Sequence, residues 1–343
     1  MRSVLLFCGS TALVFATATV ALAQAAPPAA KAATPSYADV KPGSITYEDV
    51  EYPFPVQYLS FTTYGQDVRM AYMDVPPSGA ANGHTVVLFH GMNFGGYYWG
   101  DTAKVLAKEG FRVIVTDQLG FGRSSKAIIP YNFTDMAYNS RRVLQHLNIA
   151  KVAIVGHSMG GMLAARFTTQ YPDLVERTVI YNPIGLTDPR FDRPATSVDD
   201  AYKRNLTSTY EQLGSSYHRY FSHKPSAWKP EYEQWIRQRY AMTLSADWPR
   251  LAMVQSLLGQ MTYNDPVVYD WAHIKVTTFV YGGREDGEGF AERMKYIADT
   301  IPNGKARLQL LPGLGHVPHF EAPDQFYPPL VAFLKEGLRS TAN

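Results

Sequence analysis

Short runs of β-branched and apolar residues recur along this chain, and they constrain its fold more than any other feature: Thr85–Phe89 (TVVLF), Val113–Thr116 (VIVT), Val152–Val155 (VAIV), Thr178–Tyr181 (TVIY), Thr277–Tyr281 (TTFVY) and Arg307–Leu311 (RLQLL). Most are apolar at consecutive positions, the signature of strands covered on both faces. Longer helical patterns separate them: Trp99–Lys108, Asn132–Leu147, Met159–Gln170, Ala291–Ala298 and Gln325–Leu338. This alternation predicts an α/β fold, a mostly parallel sheet with helices on both faces and right-handed crossovers. Ligands of such sheets bind beyond the carboxyl ends of the strands, so chemistry is sought in the loops that follow them.

One segment breaks the rhythm. Residues 187–270 contain no convincing strand, carry many Tyr and Trp residues in helical stretches interrupted by Pro, and are too long for a plain loop. They read as a helical cap inserted into a core formed by 45–186 and 271–343. The cap aromatics pack the cap onto the core, and some of them are expected to wall an apolar pocket.

The amino-terminal end reads differently. Arg2, a mainly apolar stretch and Ala21-Leu22-Ala23 form a secretory-signal pattern over residues 1–23, with Ser, Thr and Gly making it a poor membrane span. The Ala- and Pro-rich residues 24–44 are expected to be a flexible spacer. A periplasmic or secreted location follows as an expectation. The one cysteine, Cys8, lies in the signal pattern, so a cleaved chain has no thiol for a disulfide, a nucleophile or a zinc-thiolate site. A formal net charge of +2, without a basic run, argues against a nucleic-acid partner. No H-E-x-x-H, Walker A loop or G-x-G-x-x-G after a first strand is present, so no metal or nucleotide cofactor is implied.

Four loops carry the chemistry. Gly156-His157-Ser158-Met159-Gly160 joins the strand VAIV to the helix MGGMLAARFTTQ. A serine on so sharp a turn needs glycines around it, because backbone and helix approach too closely for a Cβ, and its hydroxyl is presented at a helix N-terminus. Such a nucleophile needs a base, and the base an orienting carboxylate. Downstream, Gly282-Gly283-Arg284-Glu285-Asp286 follows the strand TTFVY, and Gly313-Leu314-Gly315-His316 follows RLQLL. Asp286 is preferred over the adjacent Glu285 as the acid. His316 is preferred over His319, which reads as a surface or supporting residue. His90-Gly91-Met92-Asn93-Phe94-Gly95-Gly96 follows TVVLF and can aim a backbone N–H at a developing oxyanion. That donor is assigned to Met92, within one residue, and the second to Met159, directly after the nucleophile. His90 is expected to organise its turn by hydrogen bonds without transferring protons, and His157, next to the nucleophile position, to be a structural or pocket-wall residue.

HGMNFGG, DQLGFGRSS (Asp117–Ser125), GHSMGG and GLGHVPHFEAP (Gly313–Pro323), in this order, resemble the α/β-hydrolase fold superfamily over about Val56 to Leu338. The resemblance implies a catalytic Ser158, Asp286 and His316, an oxyanion hole at Met92 and Met159, and a mainly structural Arg123 that holds neighbouring carbonyls or a carboxylate. It does not select the substrate. Haloalkane dehalogenases and epoxide hydrolases share the framework but carry Asp at the position of Ser158, which argues against both activities. The expectation is a serine hydrolase acting on an apolar small-molecule ester, lactone or related acyl compound. The alternatives are acyl transfer, C–C bond hydrolysis, cofactor-free haloperoxidation, or ligand binding without turnover. Oligomeric state is not legible.

Overall fold

The computed structural model describes residues 37–336. The signal pattern and residues 24–36 lie outside them. Eight strands form one sheet: β1 (Val56–Thr63), β2 (Gln66–Val75), β3 (Thr85–Phe89), β4 (Arg112–Thr116), β5 (Val152–His157), β6 (Val175–Tyr181), β7 (Thr277–Gly283) and β8 (Ala306–Leu311), in the order β1-β2-β4-β3-β5-β6-β7-β8. From β4 onward across the sheet every pairing is parallel.

The apolar runs become intelligible in this setting. Along β3, Val87 and Phe89 enter one core while Val86 and Leu88 enter another. The first core is roofed by helices α2 (Phe133–His146) and α3 (Met159–Gln170), the second by α1 (Gly100–Lys108) and the last helix of the chain. With side chains alternating across the sheet and both faces covered, the central strands are mostly apolar, and the polar residues they bury include small hydroxyls such as Thr178, which pairs with Thr168 at 2.7 Å. At about 25 cal/mol per Å² of apolar surface, this double burial is the main force holding the sheet to its helices.

The hairpin β1–β2 is absent from the sequence expectation. The edge strand β1 alternates exposed and half-buried residues, and β2, between β1 and β4, surrounds its buried Met70–Met73 stretch with Gln66, Asp67, Arg69 and Asp74, so neither shows an unbroken β-branched run. Its turn is Tyr64-Gly65, both at positive φ (48° and 69°), as a tight two-residue hairpin connection requires.

Between β6 and β7 the chain is helical: α4 (Pro189–Asp192), α5 (Val198–Leu206), α6 (Tyr210–His218), α7 (Glu233–Thr243) and α8 (Trp248–Asn264), with three 3-10 turns between α6 and α7 and one after α8. The remaining helices are α9 (Phe290–Thr300), α10 (Pro318–Glu321) and α11 (Pro323–Lys335).

The spacer expectation is corrected for residues 37–44, which dock on this helical insertion. Tyr37 stacks on Tyr210 with ring centroids 4.3 Å apart and donates to Glu211, and Gly43 N–H donates to Ala241 C=O at 2.8 Å. Just beyond them, Ile45, Tyr47 and Val50 are buried with Met242, Trp248 and Leu251. The Ala/Pro composition ends before these aromatic anchors begin, which is why composition alone set the boundary too late.

Candidate active site

The site is built at the carboxyl ends of β3, β5, β7 and β8. Ser158 follows β5 directly, with φ 58° and ψ −119°, and α3 starts at the next residue. A non-glycine residue in this region costs about 1–3 kcal/mol and persists only where its surroundings dictate it. They do so here by crowding. A Cβ on Gly156 would lie 2.0 Å from the Gly160 carbonyl oxygen, and one on Gly160 would lie 2.2 Å from that of Phe89. The glycines flanking Ser158 thus let β5, α3 and the end of β3 touch, and the serine takes the strained position between them.

The same closeness brings in the loop after β3. A Cβ on Gly91 would sit 3.1 Å from Ser158 Cβ and 3.6 Å from its Oγ, so the residue preceding Met92 runs alongside the nucleophile. Among the described residues, no hydrogen bond uses the N–H of Met92 or of Met159. Met159 opens a helix, where the first N–H groups lack intrahelical acceptors and the dipole favours negative charge.

Asp286 and His316 are brought together. His316 Nδ1–H donates to Asp286 Oδ2 at 2.7 Å, with both side chains largely buried. Glu285, adjacent in sequence, points elsewhere and accepts from Gly313 N–H at 2.9 Å. Ser158, Asp286, His316, Met92 and Asn93 all line one cavity of about 730 Å³, whose walls also include Ile184, Leu186, Phe290 and Tyr220. Tyr220, from the insertion, stacks on the His316 ring (centroids 4.9 Å, 24°), and its hydroxyl accepts from Asn93 Nδ2 at 2.7 Å. Among the described residues, no group of three or more His, Cys, Asp or Glu side chains could hold a metal ion.

Residues outside the sequence expectation hold these parts in register. Asn182, directly after β6 and buried, donates from Nδ2 to Asp286 Oδ2 at 2.8 Å and accepts at Oδ1 from Gly283 N–H at 2.8 Å. The only signal in the sequence was an Asn-Pro pair at a strand end. Glu321 accepts from the N–H of Gly315 and of Val317, bracing both sides of His316, and lies 2.9 Å from His223 of the insertion.

Behind the serine, the histidines form a dry layer. Burial drives the His157 imidazole well below its ordinary pKa, so it is neutral. Its Nε2 lies 2.8 Å from the His316 carbonyl, which can only accept; Nε2 therefore carries the proton, and Nδ1 accepts from Tyr98 O–H at 3.0 Å. The Tyr98 oxygen in turn accepts from Gly91 N–H at 3.1 Å. One chain of hydrogen bonds thus runs from the Met92 loop through the nucleophile turn to the His316 loop. His90, also neutral through burial, accepts at Nε2 from Gln118 N–H and donates from Nδ1 to Gly91 C=O.

His319 differs from the surface position considered for it. It is buried, with Nδ1 2.7 Å from the Tyr181 hydroxyl, and burial pushes its pKa down to about 3. Arg123 donates to the carbonyls of Tyr47 (3.3 Å) and Val50 (2.9 Å). Asp117 of the same loop accepts from Tyr52 O–H and Arg123 N–H.

Comparison with known proteins bears on this arrangement. A probable hydrolytic enzyme from Pseudomonas aeruginosa PAO1 superposes with a TM-score of 0.81 at 36% identity, over 87% of this chain and 99% of that one. A thermophilic esterase from Thermogutta terrifontis gives a TM-score of 0.63 at 25% identity, over 81% of this chain and 98% of that one. A haloalkane dehalogenase from Mycolicibacterium paratuberculosis is 32% identical over 166 residues, 46% of this chain and 53% of that one. Matches to curated sequences are partial: the chain spans about a third (31%) of the length of mycobacterial relatives of uncharacterized function. The family described as alpha/beta hydrolase fold matches residues 84–323, and the chain belongs to that family.

Proposed function

We propose that this protein is a serine hydrolase that cleaves carboxylic esters, lactones or related acyl compounds through an acyl-enzyme on Ser158. The observation that carries the reading is the shared cavity: a serine at a strained strand-to-helix turn, a histidine hydrogen-bonded to a carboxylate, and Met92 with its unused N–H all border it, and the unused N–H of Met159 directly follows the serine. His316 takes the Ser158 proton as Oγ attacks the substrate carbonyl, and Asp286 holds the imidazole in the tautomer whose Nε2 is free to accept. The N–H groups of Met92 and Met159 bind the oxyanion, each contributing about 2.7–4 kcal/mol to the transition state. His316 then protonates the leaving alcohol. Water, deprotonated by the same imidazole, releases the acyl group. A haloalkane-dehalogenase reaction is disfavoured because an alcohol side chain replaces the Asp nucleophile those enzymes carry.

The test is a fluorophosphonate label together with a chain-length series of p-nitrophenyl esters, lactones and amides, applied to wild type and Ser158→Ala. Expected are labelling of wild type only and a loss of turnover on the order of a million-fold in the variant. Equal activity, or equal inertness, across the panel refutes the reading.

A further inference from the structure

A second cavity, of about 210 Å³, adjoins the candidate active site; the two share Met92 and Asn93 as wall residues. It is formed between the core (Tyr47, Phe121) and the helical insertion (Asn205, Arg239, Gln255). No carboxylate lines it. Arg239 forms no ion pair among the described residues, whereas its neighbour Arg237 is paired with Asp39 at 2.6 Å. The Arg239 charge acts instead on the hydroxyls of Tyr47, Tyr217 and Tyr220, the last of which stacks on His316. Gln255 Nε2 is buried without a hydrogen-bond partner. The amide donors of Asn205 and Asn93 are already used, by Ser256 and Tyr220.

A partly buried guanidinium that hydrogen-bonds the Tyr47 hydroxyl but faces no carboxylate, beside an unused amide donor, makes an environment short of one anion. Leaving such a charge without a counter-ion is costly, and the planar fork of Arg, with five donors, matches a carboxylate well. We infer that Arg239 and Gln255 form a subsite for a carboxylate on the acyl part of the substrate, so that the preferred substrates are monoesters or lactones of dicarboxylic acids. The inference rests on the serine-hydrolase reading. The acyl side is assigned because the leaving alcohol departs toward His316, and the second cavity touches neither His316 nor Asp286 but only the loop that binds the oxyanion. The acyl group is then not wholly apolar, as the cap aromatics alone would suggest.

The test compares p-nitrophenyl hemiglutarate with p-nitrophenyl valerate in wild type, Arg239→Gln, Arg239→Lys and Gln255→Leu, with free glutarate as inhibitor. The ratio of kcat/KM for the charged over the neutral ester is expected to fall about 10- to 100-fold in Arg239→Gln, as for loss of a hydrogen bond to a charged group, mainly through KM and with partial recovery in Arg239→Lys. Glutarate is expected to inhibit wild type competitively and the variant much less. An unchanged ratio in a folded Arg239→Gln overturns the subsite. If that variant does not fold, glutarate that fails to compete in wild type, or a ratio unmoved in Gln255→Leu, overturns it. A preference lost only for an ester carrying the carboxylate on its alcohol refutes the acyl-side assignment. Absence of both hydrolysis and fluorophosphonate labelling in wild type is a distinct result that removes the serine-hydrolase reading itself.

Discussion

Tyr98→Phe isolates the hydrogen-bond chain behind the nucleophile. The substitution deletes one oxygen and leaves the ring, which stacks on Phe94 with centroids 4.6 Å apart and planes 7° off parallel, so it opens no cavity of note. It leaves two buried groups without partners, the Gly91 N–H and the His157 Nδ1. An unsatisfied buried group costs about 1–3 kcal/mol, so the pair amounts to about 4 kcal/mol, a large part of the stability of an ordinary domain. For a chain of this size that corresponds to a fall in melting temperature of roughly 8–16 °C. Gly91 directly precedes Met92, so the oxyanion donor loses its tether as well, and kcat is expected to fall about tenfold or more with little change in KM, since small misplacements of reacting groups are expensive. Thermal denaturation by circular dichroism and ester kinetics read the two effects. A variant that melts within about 2 °C of wild type and retains its kcat would refute both the tautomer deduced for His157 and the coupling of the loops, since the stability argument assigns at least 1 kcal/mol to each orphaned group.

Gly160→Ala drives a Cβ into the Phe89 carbonyl, 2.2 Å away, and is expected to cost more than about 4 kcal/mol or abolish soluble expression; a well-folded variant would show that the strand-to-helix turn has slack. Asn182→Ala removes a donor to Asp286 and the Oδ1 acceptor for Gly283 N–H, and is expected to lower kcat with KM nearly unchanged in the same ester assay; a kcat equal to wild type refutes its positioning role. Stability should fall on acidification. The buried His90, His157 and His319 have pKa values held below the ordinary 6.5, so below that pH the unfolded chain binds protons that the folded one excludes. The loss begins near pH 6.5 and deepens by up to about 1.4 kcal/mol per pH unit for each histidine until its folded-state pKa is reached. Urea midpoints that coincide at pH 7.5 and pH 5 would contradict this.

What could be read from the chain alone was whatever depends on neighbours in sequence. The strands of a doubly covered sheet announce themselves by unbroken β-branched runs, and the turn around Ser158 by glycines whose absent Cβ atoms are needed within a few residues. The hairpin β1–β2 escaped because the edge strand β1 buries no residue fully and the apolar stretch of β2 is flanked by Gln66, Asp67, Arg69 and Asp74 instead of continuing as a β-branched run. The choice between Asp286 and Glu285 is another matter. Both follow the same strand, and only the twist of the loop and the hydrogen bond from Asn182 turn one toward His316 and the other toward Gly313. The burial of His319, the chain through Tyr98 and His157, and the absence of a carboxylate partner for Arg239 among the described residues were equally illegible. Each depends on which surfaces meet when β3, β5, β8 and the insertion pack together, and a side chain's partner across a fold is set by packing and register, for which a linear sequence carries no local sign.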